Sequence, residues 1–462
     1  MERGLRAPLR PRGQQPALAD VRIAPALELL GNGDYRGGSR ARRGHQRRVL
    51  HQRAAERLRK VVMGGMDWRP YIDAHAADWV AVRHELHRIP EIRFEEHQTS
   101  ARIQAFLQDR GIPLTAGHAR GTGVAAEIPG QGPGRLLLRA DIDALEIEEQ
   151  TGLPYASTRP GLMHACGHDG HTACLLGAAQ TLWEHRDQIP VSVRCIFQPG
   201  EEEAAGGRLI VEEGLLDDVD ACFALHGWPS LPTGDIQIGG GPVMASADFF
   251  HIEIHGKGGH AADPGACVDP VLAAAHLITA LQSLASRELS PWESGVVSVT
   301  RMEGGTTSNI IPDCAVVEGT VRALDPAVRD RLLASIERVA KGQAETFRAK
   351  AKVVFGTNGY PPTINDHAAS AYAARIGEGV FGAEHVHGLD HPYMTAEDFS
   401  YYLQRRPGTF AFLGVAPGPG EPYPGLHTPR YDFSDASLPG AVHYFCSLVS
   451  NWSSGALENS KA

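Results

Sequence analysis

The chain has 462 residues, more than one ordinary hydrophobic core serves, so two or three domains are expected. A net charge of −10 at pH 7 supplies no basic face for nucleic acid, and no apolar run reaches the roughly 20 residues of a membrane span. Seven scattered cysteines, an odd number, do not make a disulfide framework and fit a reduced, cytoplasmic setting.

Residues 1–65 are rich in Arg, Gly and Pro and lack sustained periodicity. They read as a disordered extension, or as residues upstream of a start at Met63 or Met66. From Trp68 the pattern is regular. Residues 72–88 and 95–110 carry apolar residues at helical spacing. Short apolar runs follow at 136–138, 191–197, 221–225 and 410–415, with a helical pattern over 169–184 among them. Buried strands alternating with helices predict an α/β domain with a largely parallel central sheet. Residues 246–357 differ. Strands at 249–254, 296–300, 315–321 and 352–355 and helices at 270–286 and 326–347 give the order βαββαβ, the ferredoxin-like α+β unit. It is inserted in the larger domain, which then comprises 66–245 and 358–453, with a tail over 454–462.

The residues that end the strands carry the chemistry. The first run leads into Arg139-Ala140-Asp141-Ile142-Asp143, the second into Gln198-Pro199-Gly200-Glu201-Glu202-Glu203, and the third into His226. Ligands of open α/β sheets bind beyond the carboxyl ends of strands, so these side chains converge where a site belongs. The sharpest motif is Met163-His164-Ala165-Cys166-Gly167-His168-Asp169-Gly170-His171. Cys166 and His168, separated by a glycine, offer a thiolate and an imidazole from one tight loop, a donor pair suited to zinc and neighbouring divalent ions. A Cys-His nucleophilic pair is the competing reading. Glu201 and Glu202 divide labour: Glu202 as metal ligand, Glu201 as a base whose pKa neighbouring negative charge raises. His226 and His427, each in a short Gly-flanked segment, complete the set. Asp141 and Asp143 fit either imidazole-orienting acceptors or turn caps, and His164 and His171 are equally open.

With these motifs the chain resembles the amino-acid amidohydrolases, which include hippurate hydrolase, N-acyl-L-amino-acid amidohydrolase and the auxin-conjugate hydrolases. They are related to carboxypeptidase G and aminoacylase among the dinuclear metallopeptidases. The resemblance runs from about Trp68 to Trp452. It also includes Leu86-His87-Arg88-Ile89-Pro90-Glu91, Gly256-Lys257-Gly258-Gly259-His260, Asn309-Ile310-Ile311-Pro312, Glu397-Asp398-Phe399 and His427-Thr428-Pro429. It implies a metallopeptidase-type catalytic domain holding two divalent ions per subunit, drawn from zinc, manganese, cobalt and nickel. Cys166 would bridge them, with His168, Glu202, His226 and His427 as the other ligands and Glu201 as general base. It further implies that the insert is a lid that forms a homodimer. His260 would stabilise the oxyanion at a neighbouring active site, and Asn309 and Arg322 would hold the substrate's carboxylate. The implied substrate is a small N-acyl amino acid, cut at its amide bond. A dipeptidase of the same metal chemistry is the alternative, for which Glu203 offers a partner to a free α-amino group.

Overall fold

The computed structural model describes residues 66–418 and 423–458. The reading of residues 1–65, and part of the tail, fall outside the described residues. Helices α1 (Arg69–His87) and α2 (His97–Asp109) precede strands β1 (Leu114–His118), β2 (Gly123–Ile128) and β3 (Arg135–Asp141). Helix α3 (His168–Glu184) follows, then β4 (Ser192–Gln198), β5 (Ala221–Pro232) and β6 (Ile236–Gln237). The insert contains β7 (Asp248–His255), α4 (Pro270–Ser283), β8 (Gly295–Gly304), β9 (Cys314–Ala323), α5 (Pro326–Thr346) and β10 (Lys350–Phe355). The chain returns through α6 (His367–Phe381), β11 (Val386–His387), β12 (Gly408–Ala416) and α7 (Leu438–Ser450).

The large sheet has the order β1-β2-β4-β3-β5-β12-β6-β11. Its middle, β4-β3-β5-β12, is parallel, as the alternation of strands and helices predicts. The β1–β2, β2–β4 and β6–β12 pairs are antiparallel, and of these β1–β2 has the short connection that a hairpin allows. Both faces are covered, so the central strands are apolar throughout rather than alternating. Leu136 and Leu138 join the core under the helices with Trp79, Leu175 and Phe445. Leu137, between them, faces the opposite core with Ile196, Phe410 and Phe412.

The insert's sheet has the order β8-β9-β7-β10, all antiparallel, with its own core of Ile252, Leu277, Val317, Leu332 and Ile336. This is the ferredoxin-like topology. Strand β9 alternates along its whole length, one face buried and the other part-exposed. Both insert helices start with Asp-Pro. Asp269 and Asp325 accept hydrogen bonds from the first free backbone N–H groups, and the proline that follows has no N–H to leave unpaired. Two boundaries differ from expectation. Helix α4 ends at Ser283, where its last turn widens over Leu284–Glu288. Strand β5 continues to Pro232, so His226 lies inside a strand instead of after one.

The start of α3 is packed tightly enough to test. A Cβ on Gly170 would stand 2.3 Å from the Phe433 ring. Gly170→Ala is expected to destabilise the protein by about 1–3 kcal/mol in denaturant unfolding, with part recovered by adding Phe433→Leu.

Candidate metal centre

Gly167 adopts φ 89, a left-handed conformation that turns the chain between Cys166 and His168, the first residue of α3. A Cβ there would come within 2.8 Å of the Tyr431 hydroxyl. Cys166 Sγ lies 3.3 Å from His226 Nε2. Ligand atoms of Cys166, Glu202 and His427 lie within 4.8 Å of one another, as do those of His168, Glu201 and Glu202. Six residues singled out from the sequence, drawn from four separate segments, therefore share one site. All are buried except His427, which has φ 58 and lies on the exposed side.

The hydrogen bonds aim the imidazoles. His168 Nδ1 donates to Asp143, at 2.9 Å to its carbonyl and 3.2 Å to Oδ1. His226 Nδ1 donates to Gly227 O at 2.9 Å. Each ring thereby turns Nε2 towards the cluster, the arrangement of a metal-ligating histidine held from behind. Asp143 Oδ2 also accepts from the Glu202 backbone N–H at 2.8 Å, so one carboxylate sets two of these residues. His171 is different. Its Nδ1 donates to Asp141 at 2.6 Å and its Nε2 accepts from Gly227 N–H at 2.7 Å, so both nitrogens are used. His164 is fully buried, and burial lowers its pKa to about 4, leaving it neutral.

The residues fit divalent metal. His168 Nε2 and Glu202 Oε1 are buried without a hydrogen-bond partner among the described residues. His427 Nε2 approaches that Glu202 oxygen at 3.1 Å, a close charge contact without hydrogen-bond alignment. Burial pushes the Cys166 thiol well up, and the carboxylates of Glu202, Glu201 and Asp141 push it further. A nucleophilic cysteine needs cationic surroundings; this one has carboxylates, and becomes a thiolate only with added positive charge. Burial opposes protonation of His168, yet Asp141 and Asp143 outweigh it and raise its pKa to about 10. A cation placed among these donors relieves all of these conditions.

Behind Glu201 stands a group that sequence reasoning did not assign. Arg139, buried at the end of β3, pairs with Asp141 at 2.7 Å, Asp398 at 2.9 Å and Glu397 at 3.0 Å. Gln198 bridges Arg139 and Asp398. Burial and then the charges of Glu397, Glu202, Asp398 and Asp143 hold the Glu201 pKa well above the usual carboxylate range. Glu397 itself is raised to about 8, by burial first. The motif Glu397-Asp398-Phe399 was visible in sequence; its contact with Arg139, more than 250 residues away, was not.

A cavity of about 410 Å³ opens on the cluster. Trp228, Met244, Phe249 and Leu426 give it apolar walls, and Arg322 enters from the insert. The Arg322 guanidinium lies over the Phe249 ring at 5.6 Å and makes no ion pair among the described residues. His260 and Asn309 lie elsewhere. They flank a short exposed ribbon in which His260 pairs with Ile310 and Ala261 N–H bonds Asn309 O at 3.0 Å. Neither lines this chain's own cavity.

Fold and site together define a metallohydrolase-type α/β catalytic unit with an inserted ferredoxin-like unit. Residues 137–451 match the pattern of Peptidase family M20/M25/M40, and the chain belongs to that family. It is 44% identical over 341 residues to the N-acetyl-L-cysteine deacetylase of Bacillus subtilis (strain 168), covering 73% of this chain and 80% of that one. It is 38% identical over 380 residues to IAA-amino acid hydrolase ILR1-like 4 of Arabidopsis thaliana, covering 81% and 86%. Among solved structures it resembles the Bacillus subtilis YXEP protein, described as a dinuclear metal binding peptidase of family M20. That match has a TM-score of 0.70 and 36% identity over 82% of this chain and 98% of the other.

Two outcomes test the centre. Asp143→Asn should weaken divalent-metal binding about 10- to 100-fold in calorimetric titration, because His168 and Glu202 lose their shared acceptor. Metal affinity should also rise with pH. Cys166 and His168 both have raised pKa values and must lose protons to bind, so protons compete with metal more strongly as pH falls.

Proposed function

We propose that the protein hydrolyses the amide bond of N-acyl amino acids, giving a carboxylic acid and a free amino acid, with two divalent ions held by Cys166, His168, Glu202, His226 and His427. One observation carries the reading: Cys166, Glu202, His226, His427 and Glu201 line the same cavity that Arg322, which makes no ion pair among the described residues, enters from the insert. The bound ions supply Lewis acidity to the acyl carbonyl and acidify water. This chain's residues do the rest. Arg322 receives the carboxylate of the amino-acid half, a geometry guanidinium suits. Glu201, with its pKa held high by burial and by its acidic neighbours, takes a proton from the attacking water. It returns that proton to the departing amine nitrogen. The apolar walls receive the acyl group and exclude water.

His260 and Asn309 lie on an exposed ribbon outside the chain's own cavity. In a homodimer formed through the insert, they serve the neighbouring subunit's site. His260 stabilises the oxyanion there, and Asn309 helps hold the carboxylate.

Hydrolysis of a panel of N-acetyl, N-benzoyl and indole-acetyl amino acids, with and without chelator, tests the reaction. Release of free amino acid that stops with chelator supports it, and no release from any member overturns it. Glu201→Gln should lower kcat by about 10²–10⁴-fold while bound metal, measured by elemental analysis, is retained. Arg322→Ala should raise KM about tenfold or more, and Lys should restore little of it. Mixed dimers of Glu201→Gln and His260→Ala chains should regain activity that neither variant has alone; no recovery on mixing would show that His260 does not act between subunits.

A further inference from the structure

The cavity wall holds one carboxylate that the reading above leaves without work. Glu203 follows Glu201 and Glu202 in one turn, but those two are buried and Glu203 is exposed. Glu203 is one of the residues lining the cavity, together with Arg322 and His427. The Glu203 carboxylate makes no hydrogen bond or ion pair among the described residues.

The backbone around it is held in a conformation that costs energy. Glu203 has φ 59 and Ala205 has φ 54, both in the left-handed region that side chains other than glycine seldom adopt. Asn358 donates its amide to the Glu203 carbonyl, and the Tyr360 hydroxyl lies 3.4 Å from Ala205 N–H and donates to the Glu201 carbonyl. A solvated surface charge requires no such support. Here the turn fixes the backbone from which the Glu203 side chain extends.

We propose that Glu203 determines substrate charge: it receives a cationic nitrogen of the substrate, while Arg322 receives the carboxylate. This assignment rests on the amidohydrolase reading and narrows its substrate class. The cation has two chemical sources, an ammonium on the amino-acid side chain or an α-ammonium on the acyl half, as in a dipeptide. An exposed ion pair is weak, so the effect is one of selectivity rather than of turnover.

Three substrates separate the cases: N-acetylnorleucine, Nα-acetyllysine and glycylnorleucine, each assayed with metal-loaded wild type, Glu203→Gln and Glu203→Lys. In Glu203→Gln, kcat/KM for a cationic substrate relative to N-acetylnorleucine should fall by about two- to fivefold, through KM. Glu203→Lys should lower it further. A fall on acetyllysine places the cation on the amino-acid half, and a fall on glycylnorleucine places it on the acyl half. In wild type the preference should also shrink as salt is raised, a measurement that needs no variant to fold. Unchanged ratios in both variants, a salt-independent preference, or a wild type that cuts neither cationic substrate overturns the assignment. A wild type that cuts none of the three, and no other N-acyl amino acid, overturns the amidohydrolase reading instead.

Discussion

The structure depends on a crowd of buried carboxylates. Asp141, Asp143, Glu201, Glu202, Glu397 and Asp398 all lie at the carboxyl end of the large sheet, and all are buried. Ionised carboxylates taken out of water are costly unless cations or hydrogen bonds compensate them. Arg139 is the fixed cation of the group and contacts three of them. It divides the crowd in two. Asp141, beside Arg139, His168 and His171, is held well below its usual pKa even though burial works the other way. Glu201 and Glu397 are held high, by burial first and by their acidic neighbours. One environment thus keeps some carboxylates as fixed anions and leaves others able to carry a proton, a division that acid–base chemistry requires.

A second buried arginine organises the other side of the loop. Arg83, on α1, pairs with Asp169 at 3.1 Å, Asp432 at 2.9 Å and Asp435 at 2.6 Å. Asp169 follows His168 directly, and Asp432 and Asp435 lie in the segment that begins with His427. The His427 backbone N–H donates to Ala165 O at 2.8 Å, adjacent to Cys166. His87 adds a bond to Asp169 at 2.9 Å, and its pKa rises to about 9 as Asp169 and Glu149 overcome the effect of burial. The loop bearing Cys166 and His168 and the segment bearing His427 are therefore fixed to each other through α1. The motif around His87 thus supports the site without facing the cavity.

The local parts of this arrangement were legible in the sequence. Apolar runs gave the parallel strands, the order of elements gave the inserted unit, and the Cys-Gly-His loop carried its own turn in Gly167. Glu201 and Glu202 were readable because Pro199-Gly200 interrupts the strand before them. What was not readable is long-range charge pairing. Arg139, Glu397 and Asp398 are ordinary charged residues in one dimension, and only the fold shows that they neutralise one another. Asp143 left two roles open for the same reason, since its bond to His168 and its bond to Glu202 N–H both cross the site. The sequence places His226 after a strand because the apolar run stops at Leu225, whereas the backbone pairing continues: His226 stands opposite Phe412 of β12.

The insert meets the catalytic unit through two strands of chain that run side by side. Gly241–Met244 pairs with Thr363–Asn365, and Ala247 and Tyr360 exchange backbone hydrogen bonds. Tyr360 then reaches the Glu201 carbonyl with its hydroxyl, and Asn358 reaches that of Glu203. The return crossing is thus bonded to the same turn that carries Glu201. Arg322, at the end of β9, is close by, because Ala323 N–H donates to Ser246 Oγ at 3.0 Å at the other crossing. Rotation of the insert about these crossings would move Arg322 and load the Glu201 turn together. On the proposed function, substrate held at Arg322 would thereby be coupled to Glu201 through hydrogen bonds to backbone rather than through a side chain of the donor cluster.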